Sequence, residues 1–265
     1  MNITVVKVGG AIVEDEAQLR RLINDFAAIT GPKILVHGGG RRATKVAAQL
    51  GIESRMIGGR RVTDAAMLDV VTMVYGGLVN KHLVAMLQSK GVNAIGLTGA
   101  DMDIIRSHKR PLRRMETDGG EQMVDFGFVG DVDRADGKTL LKLLDQGAVP
   151  VIAPLTHDGN GNILNTNADT MAAETACGMA AEGGNVTLIY SFEKRGVLAD
   201  PDDDNSVIPV ITHESFLKYK ADGTISGGML PKIENALDAI DRGVGKVVIT
   251  LATAIDGNSG TTITK

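Results

Sequence analysis

Short β-rich runs alternate with helical patterns along this chain, and this alternation constrains its fold more than any other feature. Residues 3–8 form the first run and precede a helical pattern at about 14–29, while 33–37 precede one at 41–50. Parallel neighbouring strands need long crossover connections of this kind, which are usually helices. The alternation therefore predicts an α/β fold with a mostly parallel sheet and helices on both faces.

The alternation continues towards the C-terminus with one interruption. It predicts strands at 53–62, 92–97, 149–153, 186–190 and 246–251, and helices at 64–91, 137–146, 167–181, 212–221 and 231–243. Between 103 and 133 the helical periodicity is absent, and the glycines there are typical of β-hairpins: Gly119, Gly120, Gly127 and Gly130. We expect these hairpins to lie over the sheet edge or over a site.

The composition excludes several classes of function. The chain has 265 residues, 43% of them hydrophobic, and a formal net charge of −4, so no global positive field would attract nucleic acid. The single cysteine, Cys177, excludes an internal disulfide and fits a reducing compartment. The N-terminal run is broken by Lys7 and lacks a basic segment, which favours a strand over a signal peptide. No apolar stretch approaches membrane-spanning length, so we expect a cytoplasmic protein with no membrane partner.

Five cations lie close together in the hairpin region: Arg106, Lys109, Arg110, Arg113 and Arg114. Three acids follow them, Glu116, Asp118 and Glu121. Mixed charges of this kind are typical of a solvated hairpin. We therefore assign the cluster no binding role.

A lysine and two glycines end the first predicted strand. Burying Lys7 there would be costly without an anionic partner, and Gly9 and Gly10 follow directly. Backbone N–H groups and the ammonium could meet a phosphate, since a side chain at either glycine would block its approach. Alternatively, Lys7 extends to solvent from an edge strand. The segment by itself leaves both interpretations open.

A second strand runs into glycines at 38–40 and then a helix, which presents free N–H groups to an anion. Residues 38–43 also fit the G-x-G-x-x-A form of a dinucleotide fingerprint, with Arg60 or Arg61 placed to read a 2′-phosphate. An NADP-dependent oxidoreductase is therefore an alternative. Against it, the glycines follow the second strand and no acid occupies the ribose-reading position. His37 is expected to be structural, because no other histidine falls at metal-ligand spacing from it.

Polar residues cluster at the start of a predicted helix in 165–169 (NTNAD). Asn167 is a candidate N-cap, and Asp169 would lie favourably in the first turn. These two helix-terminus roles do not account for the polar side chain of Asn165. The Asp169 carboxylate could instead hold lysine ammonium groups in register, so its role stays open on local grounds.

The segment 227–232 (GGMLPK) predicts another helix start, with Pro231 at the first helical position and Lys232 directly after it. The helix dipole disfavours a cation there, so we expect a compensating anion, for which a nucleotide phosphate is the natural candidate. The sequence contains no Walker-type phosphate loop, protein-kinase signature, nucleophile elbow or metal-ligand cluster.

Together these segments closely resemble the amino acid kinase family over nearly the whole chain. In the family's order they are 7–10 (KVGG), 37–40 (HGGG), 61–63 (RVT), 126–130 (FGFVG), 165–169 (NTNAD) and 227–232 (GGMLPK). The resemblance implies one domain over 1–265, a three-layer α/β/α sandwich with an open, mainly parallel sheet. An acylglutamate-binding lobe would span about 1–180 and a nucleotide-binding lobe about 181–265. The resemblance also implies a homodimer.

The resemblance implies ATP-dependent phosphorylation of the side-chain carboxylate of N-acetyl-L-glutamate in arginine biosynthesis, with Mg²⁺ carried by the nucleotide and no protein metal ligand. Lys7 and Lys232 would stabilise the transferring phosphoryl group, and Asp169 would orient both lysines. A non-catalytic binding module would be expected to lack one of these three residues, and all are present. The implied nucleotide-binding residues are Lys7, Gly9, Gly10, Gly227, Gly228 and Lys232. Those implied for the acylated amino acid are Gly39, Gly40, Arg61 and Asn165, with Arg60 as a further candidate.

Two departures from the family's pattern bear on specificity. Residues 191–196 (SFEKRG) stand where relatives usually carry a T-D-V-P-G loop beside the nucleotide, so adenine and ribose contacts cannot be carried over. In 56–61 (MIGGRR), Gly58 replaces a usual asparagine and Arg60 a usual apolar residue. Arg60 would either bind the added carboxylate of an alternative acceptor, N-succinyl-L-glutamate, or point to solvent. Arginine-sensitive relatives carry an added N-terminal helix, and its absence before the first predicted strand leads us to expect no inhibition by arginine.

Overall fold

Eight strands form the central sheet of the computed structural model, which describes residues 1–117 and 120–265. The strands of the described chain are β1 (Asn2–Val8), β2 (Lys33–His37), β3 (Met56–Ile57), β4 (Arg60–Arg61), β5 (Ala94–Leu97), β6 (Ile105–Lys109), β7 (Arg113–Thr117), β8 (Gly120–Val124), β9 (Gly130–Ala135), β10 (Val149–Ile152), β11 (Leu155–His157), β12 (Ile163–Asn165), β13 (Asn185–Phe192), β14 (Val210–Ile211), β15 (Lys246–Leu251) and β16 (Thr261–Ile263). The α-helices are α1 (Gly10–Glu14), α2 (Glu16–Ala28), α3 (Gly40–Gln49), α4 (Ala65–Val71), α5 (Asn80–Gln88), α6 (Gly137–Asp145), α7 (Ala168–Ala181), α8 (His213–Ala221) and α9 (Met229–Asp241).

The central sheet is mostly parallel, as predicted. Its strand order is β14-β16-β15-β13-β1-β2-β10-β5, and each neighbouring pair is parallel except β15 with β16. β1 lies inside the sheet, where Lys7 is in register with Val36 of β2 and Tyr190 of β13. The alternative in which Lys7 extends from an edge strand is therefore wrong.

Helices cover both faces of the sheet, and each face has its own apolar core. Successive residues of a strand point to opposite faces, so Val5 joins the core under α6, α7 and α9, while Val6 joins the core under α2, α3 and α4. Cys177 of α7 is buried in the first of these cores. The predicted three-layer α/β/α sandwich is confirmed.

Residues 65–88 form one continuous helix in three parts. Asp64 caps its start by accepting a hydrogen bond from the N–H of Met67 at 2.8 Å. Between α4 and α5 the segment Thr72–Val79 is π-helical. The expectation that no apolar stretch approaches membrane-spanning length is wrong, because Ala65–Gln88 is long and apolar enough by length and composition alone. In this fold the helix packs on the sheet, and Met67 is among its buried residues.

Smaller sheets flank the central one: a four-stranded sheet in the order β12-β11-β6-β9 and the hairpins β3–β4 and β7–β8. The antiparallel pairs β6–β9 and β7–β8 confirm the hairpins predicted for 103–133. Asp118 and Gly119, which belong to that prediction, lie outside the described residues. The β-rich stretch 53–62 contains only β3 and β4, joined by Gly58 and Gly59 with φ of 54° and 72°. Two residues with positive φ suit a tight hairpin turn, and glycine adopts them without strain.

One predicted helix is divided in the structure, and another begins earlier than predicted. The helix expected at 14–29 is divided into α1 and α2, because the Asp15 side chain caps α2 by accepting from the N–H of Gln18 at 2.9 Å. α9 begins at Met229, so Pro231 is its third residue rather than its first. Proline is tolerated there because N–H groups of the first turn have no intrahelical partner. Lys232 still lies in the first turn.

Candidate active site

Three charged side chains meet at the carboxyl end of β1. Lys7 comes from β1, Asp169 from the first turn of α7 and Lys232 from the first turn of α9. Lys7 Nζ lies 2.7 Å from Asp169 Oδ1, and Lys232 Nζ lies 3.1 Å from Asp169 Oδ2. One carboxylate therefore holds two ammonium groups, and the three side chains together carry one net positive charge.

Burial and charge act in opposite directions on Asp169. Burial would raise the pKa of its carboxyl, but the ammonium groups of Lys7 and Lys232 outweigh burial and hold that pKa below its ordinary value. The N-cap of α7 is Asn167, as predicted, whose side chain accepts from the N–H groups of Asp169 and Thr170 at 2.8 and 3.1 Å. Because Asn167 satisfies the helix terminus, the Asp169 carboxylate is left to the two lysines.

The two glycine segments pack against each other beside this group. The N–H of Gly38 donates to the Val8 carbonyl at 2.9 Å, and a Cβ at Gly38 would lie 3.1 Å from the Gly10 nitrogen. A Cβ at Gly10 would lie 3.5 Å from the nitrogens of Gly39 and Gly40. Since α3 begins at Gly40, the N–H groups of Gly39 and Gly40 have no intrahelical partner. They form a compact set of donors suited to an anion.

Two cavities meet at the charged group. The larger, of about 520 Å³, is lined by residues that include Gly39, Arg61, Tyr75, Asn165 and Asp169. The smaller, of about 410 Å³, is lined by residues that include Lys7, Gly9, Gly10, Arg41, Phe192 and Glu193. Gly40 and Lys232 line both. The junction of the cavities therefore lies where Lys7, Asp169 and Lys232 come together.

Arg61 and Asn165 are fixed in the wall of the larger cavity. The Arg61 guanidinium donates to three oxygens: Gly40 O at 2.9 Å, Thr44 Oγ1 at 2.8 Å and Ser54 Oγ at 2.9 Å. Asn165 Nδ2 donates to Thr63 Oγ1 at 2.9 Å. These contacts join three motifs that are far apart in the sequence.

Arg110 is a cavity residue that the sequence did not reveal. It lines the larger cavity, is only 12% exposed and donates to Asp131 Oδ1 at 3.0 and 2.6 Å. Its guanidinium also lies 5.7 Å from the centroid of the Phe126 ring. The prediction of a fully solvated cation cluster is wrong for Arg110, because the carboxylate that lets it be buried lies 21 residues away.

Arg60 lies at the rim of the larger cavity, next to Arg110. Although the residue as a whole is exposed, partial burial of its guanidinium lowers its pKa from the ordinary value, as do the charges of Arg110 and Arg113. The lining of the cavity therefore includes Arg60 in addition to Arg61 and to Arg110, whose charge is paired with Asp131. The structure does not bring Arg60 to the group of Lys7, Asp169 and Lys232.

The wall of the smaller cavity is more open. Two of its lining residues, Arg41 and Glu193, form an ion pair with Arg41 Nη2 3.5 Å from Glu193 Oε1, and 64% and 59% of their side chains are exposed. Gly227 and Gly228 precede α9, and Gly228 lines the larger cavity; a Cβ at either would meet no described atom within 4 Å. Over residues 1–117 and 120–265, no group of three or more His, Cys, Asp and Glu side chains could hold a metal ion.

Comparison with known proteins agrees with this architecture. Residues 2–251 match the model of the amino acid kinase family. The chain is 63% identical over 263 residues to a Bacteroides thetaiotaomicron protein named acetylglutamate kinase. This alignment covers 99% of this chain and 98% of that protein. At 42% identity, a Methanopyrus kandleri protein of the same name is matched over 93% of this chain and 94% of its own.

Solved structures at lower identity share the fold. N-acetylglutamate synthase from Neisseria gonorrhoeae, complexed with coenzyme A and N-acetyl-glutamate, has a TM-score of 0.77 at 21% identity over 99% of this chain and 59% of that chain. Giardia carbamate kinase has a TM-score of 0.67 at 14% identity over 99% of this chain and 98% of that chain.

Proposed function

Because the chain belongs to the amino acid kinase family, we propose that it transfers a phosphoryl group from ATP to the side-chain carboxylate of N-acetyl-L-glutamate, in arginine biosynthesis. The observation that carries the proposal is the junction of two cavities at Lys232 and Gly40, with Lys7 and Asp169 beside it. The larger cavity would hold the acylated amino acid and the smaller one the nucleotide phosphates. This junction and the names of the relatives favour a kinase over an NADP-dependent oxidoreductase or a non-catalytic module.

The reaction depends on positioning and charge neutralisation rather than on acid–base chemistry. The acceptor carboxylate is ionised at neutral pH, so it needs no general base. Lys7 and Lys232 neutralise charge on the phosphoryl oxygens, and Asp169 holds their ammonium groups in register. The N–H groups of Gly10 and Gly39 donate to the same oxygens. Since these donors are arranged before the substrates bind, little reorganisation is needed in the transition state.

The smaller cavity fits the phosphates of a nucleotide. Gly9, Gly10 and Gly40 line it without side chains, so the phosphates can approach the backbone closely. When bound, ATP with Mg²⁺ supplies the phosphoryl group, and nucleotide oxygens would be the main ligands of the metal. Gly227 and Gly228 leave room beside α9 for the rest of the nucleotide. The acylglutamate lobe would then span about 1–180 and the nucleotide lobe about 181–265.

The larger cavity fits an acylated amino acid. Arg61 supplies a fixed positive charge for the α-carboxylate, and Asn165 and the N–H groups of Gly39 and Gly40 supply neutral hydrogen-bonding partners. The contacts of the Arg61 guanidinium with Gly40 and with two hydroxyl groups fix its plane before the ligand arrives. This preorganisation lowers the entropic cost of binding.

We further propose that the protein is a cytoplasmic homodimer. The helix Ala65–Gln88 exposes Met73 and Leu78, which are 54% and 49% accessible, and β5 at the edge of the central sheet exposes Ile95. A second copy that covers this side would remove apolar surface from water. Light scattering should give a dimer, and Met73→Glu should shift it to monomer.

A hydroxylamine assay tests the proposed reaction, because hydroxylamine traps acyl phosphates as hydroxamates. With Mg-ATP and N-acetyl-L-glutamate, the protein should form hydroxamate and ADP in equal amounts. Free L-glutamate, which lacks the acyl group, is the matched control and should give little product. ADP without hydroxamate, or no ADP at all with any acylated glutamate, would contradict the proposed function.

One observation favours N-succinyl-L-glutamate as a second candidate acceptor. Arg60 lines the larger cavity together with Arg61, and an acetyl group carries no charge to match a second guanidinium there. A hydrogen bond to a charged group contributes about 1.5–3 kcal/mol. An engaged Arg60 should therefore favour the succinyl substrate by roughly ten- to a hundredfold.

The test is the ratio of kcat/KM for the succinyl and acetyl substrates. Arg60→Leu should lower this ratio, whereas Arg114→Leu, an exposed arginine of β7, should leave it unchanged. If the wild type prefers the acetyl compound, or if Arg60→Leu leaves the ratio unchanged, Arg60 does not bind a succinyl carboxylate and N-acetyl-L-glutamate remains the acceptor.

A further inference from the structure

The backbone of Gly38 is held at both of its polar groups. Its N–H donates to the Val8 carbonyl at 2.9 Å, and its carbonyl accepts a hydrogen bond from His37 Nδ1 at 2.8 Å. The Gly38 carbonyl and the Gly39 N–H belong to one planar trans peptide unit, in which they point in opposite directions. A hydrogen bond that fixes the Gly38 carbonyl therefore also fixes the direction of the Gly39 N–H.

His37 can make these contacts in one tautomer. A carbonyl oxygen only accepts, so Nδ1 must carry the hydrogen. Nε2 lies 3.2 Å from Asn80 Nδ2, an amide nitrogen that donates, so Nε2 must be bare. The Asn80 amide is oriented in turn, because its nitrogen donates to the Val151 carbonyl at 2.8 Å and its oxygen accepts from Lys81 Nζ at 3.2 Å. His37 is thus neutral, fully buried and bonded at both ring nitrogens.

The helix that carries Asn80 also places an aromatic ring against the same loop. In its π-helical segment, Thr72–Val79, hydrogen bonds run from i to i+5, so residues five apart face the same side. Tyr75 and Asn80 are five apart, and the backbone N–H of Asn80, directly after the segment, donates to the Tyr75 carbonyl. A Cβ at Gly39 would lie 2.8 Å from Tyr75 Cδ1, so the ring packs directly on the glycine backbone. In a regular α-helix, residues five apart would point about 140° away from each other.

We propose that His37, Asn80 and Tyr75 are positioning residues that hold the Gly38–Gly40 backbone so that the Gly39 N–H points at the transferring phosphoryl group. The inference rests on the proposed function, which gives that N–H its role. The π-helical segment is what lets one helix supply both Tyr75 and Asn80. A displacement of about 1 Å in such a group can lower turnover about a hundredfold.

Histidine variants test the hydrogen bond to Gly38. In His37→Leu no donor reaches the Gly38 carbonyl, whereas in His37→Asn an amide nitrogen can stand near the position of Nδ1. We expect kcat to fall about ten- to a hundredfold in His37→Leu, with the KM for Mg-ATP changed less than about threefold. His37→Asn should recover most of the loss. The control is His108→Asn, which replaces an exposed histidine paired with Asp133 and should leave kcat at the wild-type value.

A double variant separates positioning from stability. Asn80→Leu leaves His37 Nε2 buried without a donor, while His37→Leu/Asn80→Leu removes both partners, which costs less. We therefore expect the double variant to regain part of the thermal stability lost in Asn80→Leu. Its kcat should stay low, because the Gly38 carbonyl still lacks its donor. A kcat that recovers together with stability would overturn the proposal.

Hydrogen exchange of the unliganded protein tests positioning without any substrate. Amides of the peptide that spans 38–40 should exchange at least about tenfold faster in Asn80→Leu and in Tyr75→Leu than in wild type, and at the wild-type rate in His108→Asn. Wild-type exchange in both variants, or a folded His37→Leu with wild-type kcat, would overturn the proposal. Failure of the proposed function would look different, since the wild type would then form no acyl phosphate while the exchange difference remained.

Discussion

The walls of the two cavities are built in different ways. In the larger cavity Arg61 contacts three oxygens, Asn165 is bonded to Thr63, and buried side chains hold the glycine backbone. In the smaller cavity the side chains of Arg41 and Glu193 are mostly exposed. The difference indicates that the wall of the larger cavity is preorganised, while the wall of the smaller cavity, which we propose holds the nucleotide, is fixed by weaker contacts.

Removal of either lysine at the junction should have the largest effect, since this group serves both cavities. Lys7→Ala and Lys232→Ala should each lower kcat by on the order of 10²- to 10³-fold, because each ammonium acts on charge that develops in the transition state. Steady-state kinetics at saturating Mg-ATP measures this. Lys218→Ala, at an exposed pair with Glu214, is the control. Wild-type turnover in either junction variant would remove that lysine from the mechanism.

Replacing one charged residue in each wall should show how strongly each cavity depends on fixed charges. Arg61→Leu removes a fixed charge, so the KM for the acylated glutamate should rise about ten- to a hundredfold. Glu193→Gln breaks a solvent-exposed pair, which contributes about 0–1 kcal/mol, so the KM for ATP should change less than about fivefold. Equal effects of the two variants would mean that the two walls are preorganised to the same degree.

The two lysines at the junction could be picked out from the sequence because each breaks a local rule. Lys7 is a cation in an apolar strand, and Lys232 is a cation in the first turn of a helix. The π-helical segment could not be predicted, since Thr72–Val79 is apolar on nearly every side and carries no clear periodicity. Arg110 was missed because its partner, Asp131, is distant in sequence.

The fold was predicted where its elements are long. Strands of two or three residues, such as β11, β12 and β14, are too short to show a period of two. The order of the central sheet also depends on contacts between distant segments, such as the parallel pairing of β1 with β13. The sequence pattern predicts that such a sheet exists, but the neighbours of each strand follow from packing.

Alanine at one glycine in each region should separate the regions by stability. In Gly39→Ala the new Cβ would overlap the Tyr75 ring, and overpacking of this kind costs about 1–3 kcal/mol. Gly9 lines the smaller cavity, and in Gly9→Ala the nearest described atom to the new Cβ is Lys7 Nζ at 4.0 Å, so the free energy of unfolding should change by less than about 0.5 kcal/mol. Urea unfolding measures both values. A larger loss in Gly9→Ala than in Gly39→Ala would reverse the comparison.

The buried side chain of His37 should make the free energy of unfolding depend on pH. Burial lowers the pKa of His37 from 6.5 to about 4, and the hydrogen bond to Gly38 opposes this only in part. The native state therefore binds fewer protons than the unfolded chain between these values. This contribution to stability is fully present above about pH 6.5 and is lost as the pH falls towards 4.

At pH 5 the loss should be about 2 kcal/mol relative to pH 7.5. Urea unfolding of wild type and His37→Asn at both pH values isolates it, because Lys81, the charged side chain that contacts Asn80, is common to both proteins. The variant should lose less stability than the wild type over this range. Identical losses would show that His37 does not titrate with a lowered pKa.

Phosphorus NMR of the wild-type protein follows the proposed phosphoryl transfer in a single sample. With Mg-ATP and N-acetyl-L-glutamate, the γ-phosphate signal should decline while the signals of ADP and of an acyl phosphate grow in equal amounts. The same sample with Asp169→Asn should show this conversion far more slowly, because the two ammonium groups lose the carboxylate that holds them. Growth of inorganic phosphate without an acyl phosphate, from the first time point onwards, would contradict phosphoryl transfer to the carboxylate.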